Sequence, residues 1–241
     1  MKVTVLNVLV AALIATVFTA RADDSSDKIK MTTEAGGKVS VYVAGSGTAT
    51  VDWGDGSEKL TLALDERGVE FEHSYPNAAA RTIAVNGECI TGLACSSIKL
   101  TDLDVSRNTE LTRLTCSYNQ LTSLDVSKNT ALIRLFINGN QLTSLDVGNN
   151  TALTNLECHA NQLTGLDVSQ NTALTYLVCG SNQLADAALN ALFGTLHSNK
   201  ATKIIVDNTT KIVFINVNPG TNSCDRSIAE SKGWRVITNY Q

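Results

Sequence analysis

Glu157, Cys158 and His159 are consecutive in the chain, a thiol flanked by the acid and base that a cysteine nucleophile requires. That chemistry needs the groups within hydrogen-bond reach. On an extended segment, alternation sends Cys158 to one side and Glu157 and His159 to the other, so the triplet is expected to do no catalysis. The other histidines, His73 and His197, lie on different segments. The sequence has no Cys-x-x-Cys, His-Glu-x-x-His, phosphate-cradling glycine loop or Gly-x-Ser-x-Gly element. No catalytic residue is assigned, and the chain reads as a non-enzyme.

Asp104, Asp125, Asp146 and Asp167 recur at intervals of 21 residues. Stacked one coil apart, about 4.8 Å, their carboxylates would crowd, and Ca²⁺ would relieve the crowding. A straight row cannot surround an ion, however. The expected partners are instead Ser and Thr hydroxyls and turn amides, and no metal or cofactor is assigned. Asp52 and Asp55 in Asp52-Trp-Gly-Asp-Gly-Ser57 are expected to form Asx turns.

The remaining chemistry lies on variable positions of a repeated frame. One column reads Arg113, Arg134, Asn155, Tyr176; the next reads Thr115, Phe136, Glu157, Val178; a third reads Ser117, Asn138, His159, Gly180. Arg113, Arg134, Phe136, Asn155, Glu157, His159 and Tyr176 make a mixed basic, aromatic and polar surface of the kind enriched at binding hot spots. They are the candidate ligand-binding residues.

A stack of short coils must position those columns. Leu-Asp-Val recurs at Leu103, Leu124, Leu145 and Leu166, and a fixed period of about 20–29 residues marks a solenoid whose repeats bury their apolar faces only by stacking. Each copy splits into two arcs, Leu111–Asn119 and Leu121–Asn129, both reading Leu-x-x-Leu-x-apolar-x-x-Asn. Two extended arms and two Asn-bearing corners follow, and the corner Asn side chains are expected to satisfy backbone groups that stacking buries. Cys95, Cys116, Cys158 and Cys179 share one slot that Ile137 fills in the remaining copy. A slot that accepts Cys or Ile is apolar core, so a mostly reduced cysteine ladder is expected, with Cys89 and Cys224 outside it. The frame resembles the leucine-rich repeat, and its Leu-Asp-Val-Ser-x-Asn-Thr wording is similar to the 21-residue type of secreted proteins from Gram-negative anaerobes. The resemblance implies an extracellular recognition role.

The flanks differ. Lys38–Val43, Thr48–Asp52, Lys59–Leu64, Val69–His73 and Arg81–Asn86 are short β-rich runs parted by Gly and Asn turns. With the Asp52–Ser57 turn, His73-Ser-Tyr75-Pro and Arg81-Thr-Ile83, they resemble the PKD-like immunoglobulin-type domain of extracellular bacterial proteins. After Leu184 the period ends. Ala185, Ala188, Leu189, Leu192, Phe193 and Leu196 fall at helical spacing, strands are expected at Lys203–Val206, Ile212–Val217 and Trp234–Thr238, and a short helix at Asn222–Lys232. This segment reads as the cover a solenoid end requires, and its Asn218-Pro-Gly wording resembles the endings of the same secreted repeat proteins.

Met1–Ala22 has the apolar run and Ala-Arg-Ala finish of a secretory signal cut before Asp23. Its run is too short for the roughly 20 apolar residues of a span and no other segment is long and apolar enough, so no transmembrane segment is expected after cleavage. Without Lys2 and Arg21, 17 basic residues face 23 acidic ones, a formal charge of −6, which argues against a nucleic-acid partner. The expected organisation is a signal peptide at 1–22, a PKD-like sandwich at 23–88, leucine-rich repeats at 89–184 and an α/β cap at 185–241: mainly β, with about five coils. Five coils give a face about 20–24 Å long and on the order of 400 Å², half the ~800 Å² per partner of a standard interface. The expected function is non-catalytic recognition of an extracellular protein, peptide or glycan, in a secreted, periplasmic or surface setting. The alternative is a ligand-free spacer in an envelope assembly.

Overall fold

A computed structural model describes residues 28–199 and 211–239. The expected signal segment and the strand expected at Lys203–Val206 lie outside the described residues. The chain is a leucine-rich repeat solenoid preceded by a small β-sandwich and closed by an α/β cap.

The sandwich is built from β1 (Ile29–Thr33), β2 (Gly37–Asp52), β3 (Leu60–Ala63), β4 (Val69–Tyr75) and β5 (Arg81–Ala94). Lys38–Val43 and Thr48–Asp52, expected as separate strands, are the two halves of β2. Its first half pairs with β4 and the end of β5, its second half with β3 and the start of β5. The long strands therefore pass from one layer to the other. The passage falls at Gly45-Ser-Gly47, where the register with β5 shifts. Gly45 has φ 155°, and a Cβ there would stand 1.9 Å from the Cys89 carbonyl oxygen, so this bulge requires glycine. The layers close on Val39, Val41, Val51, Trp53, Phe71 and Ile83, all buried.

β1 is the sandwich strand outside the sequence expectation. It lies between β5 and β6 (Leu100–Asp104), antiparallel to both. It buries Ile29 and Met31 and lays the sandwich against the first coil. β5 runs without a break across the expected join at residues 88 and 89, and its last residues, Gly92–Ala94, form the first parallel strand of the solenoid sheet.

β7 (Arg113–Thr115), β8 (Arg134–Phe136), β9 (Asn155–Glu157) and β10 (Tyr176–Val178) then stack in parallel, one per coil. Their central residues, Leu114, Leu135, Leu156 and Leu177, are fully buried. Beyond the first coil the Leu-Asp-Val arm forms no strand. It is held by single backbone bonds such as Gln141 N–H to the Leu121 carbonyl (2.9 Å) and Gln162 N–H to the Leu142 carbonyl (2.8 Å).

The two Asn columns do the expected work, unequally. Asn140 donates to the carbonyls of Cys116 and Ile137, both at 3.0 Å, and its Oδ1 accepts the Leu121 N–H at 3.1 Å. Asn119, Asn161 and Asn182 repeat this pattern. In the other column Asn150 donates to Val126 and Asn129 carbonyls at 3.0 and 2.9 Å, but its buried Oδ1 has no partner, as in Asn129 and Asn171. Cys95, Cys116, Cys158 and Cys179 are buried free thiols beneath the strands. Burial raises the Cys116 and Cys158 thiols to about 12.

The cap begins with α1 (Asp186–Thr195), which buries Leu189, Leu192 and Phe193. β11 (Ile212–Phe214), α2 (Ser227–Glu230) and β12 (Arg235–Ile237) follow, and both strands continue the solenoid sheet in parallel. The cap is tied by a buried lysine: Lys211 Nζ donates to the carbonyls of His197, Asn199 and Lys232 at 3.1, 3.0 and 2.6 Å. Asn218 takes the next place in the Asn column, donating to Cys179 and Ile215 carbonyls at 3.1 and 2.8 Å.

Candidate recognition face

The face that carries the candidate residues is longer than the repeats. Through β2 and β5 the sandwich shares its sheet with the solenoid, and through β11 and β12 so does the cap, giving the order β4-β2-β5-β7-β8-β9-β10-β11-β12. Two outward rows cross it in register. The first reads Ala44, Gly92, Arg113, Arg134, Asn155, Tyr176, Ile212, Arg235. The second reads Glu70, Tyr42, Ala94, Thr115, Phe136, Glu157, Val178, Phe214, Ile237. Eight strand steps span about 38 Å. With a width of about 15–20 Å the face approaches the ~800 Å² per partner of a standard interface, so the smaller area expected from five coils is corrected upward.

Arg113 and Arg134 are exposed; Phe136, Asn155, Glu157 and Tyr176 are half-buried on the same surface. The Arg113 guanidinium donates from Nη2 to the Glu66 carbonyl at 2.8 Å, which fastens the β3–β4 loop against the first coils. Asn155 accepts the Thr154 hydroxyl at 2.8 Å. The Tyr176 ring lies 5.7 Å from that of Phe214, tilted by 59°, and Val178 is buried. Burial raises the Glu157 carboxyl above its ordinary value.

The third column departs from expectation. Ser117, Asn138 and Gly180 are buried and His159 is half-buried. Alternation fails here because the next residue of each coil turns into the left-handed region: Tyr118, Gly139, Ala160 and Ser181 have φ of 55°, 68°, 53° and 51°. The corner folds the third column under, where the Ser117 hydroxyl donates to Asn138 Oδ1 at 2.6 Å. His159 Nδ1 is buried without a partner, and burial lowers the imidazole pKa. Cys158 faces the core, where burial raises its thiol to about 12, and no hydrogen bond joins it to the partnerless His159 Nδ1.

Tyr42, Arg67 and Glu70 of the sandwich and Phe214, Arg235 and Ile237 of the cap lie outside the sequence assignment. The cap strand carried a readable signal: Val213-Phe-Ile215-Asn-Val-Asn218 keeps the apolar-x-apolar-x-x-Asn frame of Leu114–Asn119. The sandwich residues carried none, since strand pairing alone brings them to this face.

The other chemistry-bearing groups are engaged in structure. Asp104, Asp125, Asp146 and Asp167 each accept the backbone N–H two residues on, at 2.8–2.9 Å. Asp52 and Asp55 do the same for Gly54 and Ser57 at 2.9 and 3.0 Å. Asp55 Oδ2 also lies 2.7 Å from His73 Nε2, whose ring stacks on Trp53 at 5.1 Å. Ser57 and His73 hold the Asp55 carboxyl well below the usual carboxylate range. Among the described residues no group of three or more His, Cys, Asp or Glu is placed to hold a metal ion, and no helix is long and apolar enough to cross a membrane.

The fold is a leucine-rich repeat solenoid with an open sheet surface. No protein-family model matches the sequence, and no curated protein is similar to it at a significant level. Solved structures of internalins from Listeria monocytogenes are similar. The functional domain of InlJ, described as including a cysteine ladder, is 32% identical with a TM-score of 0.48 over 61% of this chain and 30% of that one. An internalin F is 19% identical, with a TM-score of 0.41 over 62% of this chain and 47% of that one. An internalin C2 is 20% identical, with a TM-score of 0.38 over 62% and 81%. The chain thus spans less than half the length of the first two.

Proposed function

We propose that the protein is a secreted, non-catalytic recognition module that binds an extracellular protein through the outward face of its parallel strands. The observation that carries this reading is the continuity of the sheet: sandwich, coils and cap present one surface of about 38 Å. Rigid elements hold Arg113, Arg134, Phe136, Asn155, Glu157 and Tyr176 there, and a preorganised surface loses little freedom on association. His159 is half-buried at the corner beside that face. The signal-like N-terminus and the resemblance of residues 28–88 to PKD-like domains support an extracellular setting.

The test is a binding screen of the chain from Asp23 against arrayed extracellular-matrix proteins and glycans, beside a variant carrying Arg134→Ala, Phe136→Ala and Tyr176→Ala. The expected result is a protein ligand whose binding is lost in the variant while its Tm is retained. A ligand that binds both equally would place recognition elsewhere, and no ligand at tens of micromolar would favour a spacer in an envelope assembly.

A further inference from the structure

The recognition face is not uniform. Where β2 and β5 meet β7 it sinks into a notch of about 180 Å³, lined by Tyr42, Ala44, Arg67, Gly92, Arg113 and Thr115. The notch exists because the row that carries Arg113 and Arg134 in the next coils carries Gly92 and Ala44 here. A Cβ on Gly92 would stand 3.0 Å from the Ala44 Cβ and 3.7 Å from Arg113 Nε, so any side chain would begin to fill it. The volume is below the roughly 300–1,000 Å³ of a whole small-molecule site. It suits one group of a ligand that continues along the face.

The guanidinium groups around the notch make no direct ion pair: none is formed by Arg67, Arg113 or the adjacent Arg134 among the described residues. The nearby carboxylates face other groups: Asp65 Oδ1 accepts the N–H groups of Arg67 and Gly68, both at 2.8 Å, and Glu70 interacts with Tyr42. Glu66 is bound through its backbone carbonyl, not its carboxylate. Like charges in direct register on neighbouring strands oppose folding, and this chain, acidic overall, places two arginines so. An arriving anion would meet guanidinium groups whose planar forks match a carboxylate in a two-point contact.

We propose that the Arg67–Arg113 notch seats a carboxylate presented by the protein partner, with the adjoining chain of that partner running over Arg134 and Phe136 toward Tyr176 and Phe214. This rests on the recognition reading above and names the chemistry of its ligand. A protein source is favoured over a sulfated glycan because the face continues for five further strands, ending in the apolar and aromatic group Tyr176, Phe214 and Ile237. An acidic residue followed by apolar ones satisfies both ends.

The experiment is a hexapeptide array in which Asp or Glu is fixed at each position and compared with Asn or Gln, read with the chain from Asp23. Parallel arrays use Arg67→Gln, Arg113→Gln, Arg113→Lys and Gly92→Val, the Arg134/Phe136/Tyr176 triple variant, and heparin in solution as a competing polyanion. Peptides with a carboxylate should bind at least tenfold better than their amide counterparts. Arg67→Gln or Arg113→Gln should remove that preference, Arg113→Lys should restore part of it, and Gly92→Val should remove it with no change of charge. Binding lost in the triple variant but indifferent to both glutamine variants would overturn the notch while leaving recognition by the face intact. Heparin binding without any acidic-peptide binding would overturn the protein carboxylate in favour of a sulfated glycan. Absence of peptide binding to every form would overturn the notch proposal, and the matrix-protein screen would then decide the broader reading separately.

Discussion

Arg113 and Arg134 stand side by side in register on adjacent parallel strands, and neither meets a carboxylate within ion-pair distance among the described residues. Nothing in the fold requires this. Along the same row, Asn155 and Tyr176 occupy this slot two and three coils from Arg113, so the backbone accepts neutral residues there.

That pair should therefore oppose folding slightly. Arg134→Gln is expected to raise stability by about 0.2–1 kcal/mol, the usual cost of like charges opposed across strands. The gain should shrink at high salt, where the Debye length falls to about 3 Å. Urea denaturation at low and high ionic strength measures both. A loss of stability on substitution would mean that Arg134 has a structural partner.

The two Asn columns should differ in what they contribute. Asn140→Ala leaves two carbonyls and one N–H buried without their partner, and each such group costs about 1–3 kcal/mol. Asn150→Ala frees two carbonyls and removes a buried oxygen that had no partner. The first substitution should destabilise the chain more than the second, as read by Tm.

Thiol labelling should divide the six cysteines. Cys89 and Cys224 are half-buried, whereas Cys95, Cys116, Cys158 and Cys179 lie in the core with burial raising their pKa. At pH 8 in native protein, mass spectrometry should find label on Cys89 and Cys224 only, and on the other four after unfolding.

Stability should fall in two acid steps. Burial lowers the pKa of His159 and His197 below the ordinary 6.5. A depressed folded value gives stability that is complete above about pH 6.5 and is withdrawn as pH falls toward the folded value. Asp55, Asp104 and Asp125 are likewise depressed, by Ser57, Ser106 and Ser127 respectively, so their stabilisation is complete above about pH 4 and is lost below it. Glu157 acts in the opposite sense, since its raised value disfavours folding as pH climbs past 4.5. A His159→Gln/His197→Gln variant should lose the upper step and keep the lower one in a Tm-against-pH profile.

Much of this was legible in the chain because stacking imposes the same environment on the same position of each coil. Leu114, Cys116 and Asn119 could be placed from period alone, and the cap helix from its apolar spacing. Non-local pairing was not legible. β1 is specified by partners at Arg81–Val85 and Leu100–Asp104, far along the chain, and Tyr42 reaches the face only because β2 pairs with the end of β5. Ser117 and Asn138 depart from alternation for a local reason: it holds within a strand, and the left-handed turn at Tyr118 and Gly139 ends it one residue early.

If the strand face is the recognition surface, paired titrations will separate it from the opposite arm. A protein captured in the screen would be titrated by calorimetry against the Arg134→Ala/Phe136→Ala/Tyr176→Ala variant and against a control carrying Ser123→Lys, Thr143→Lys and Ser144→Lys on the exposed opposite arm. Recognition by the strand face predicts that Kd rises at least tenfold for the first and stays unchanged for the second. Equal losses in both, or a loss confined to the opposite-arm variant, would contradict it.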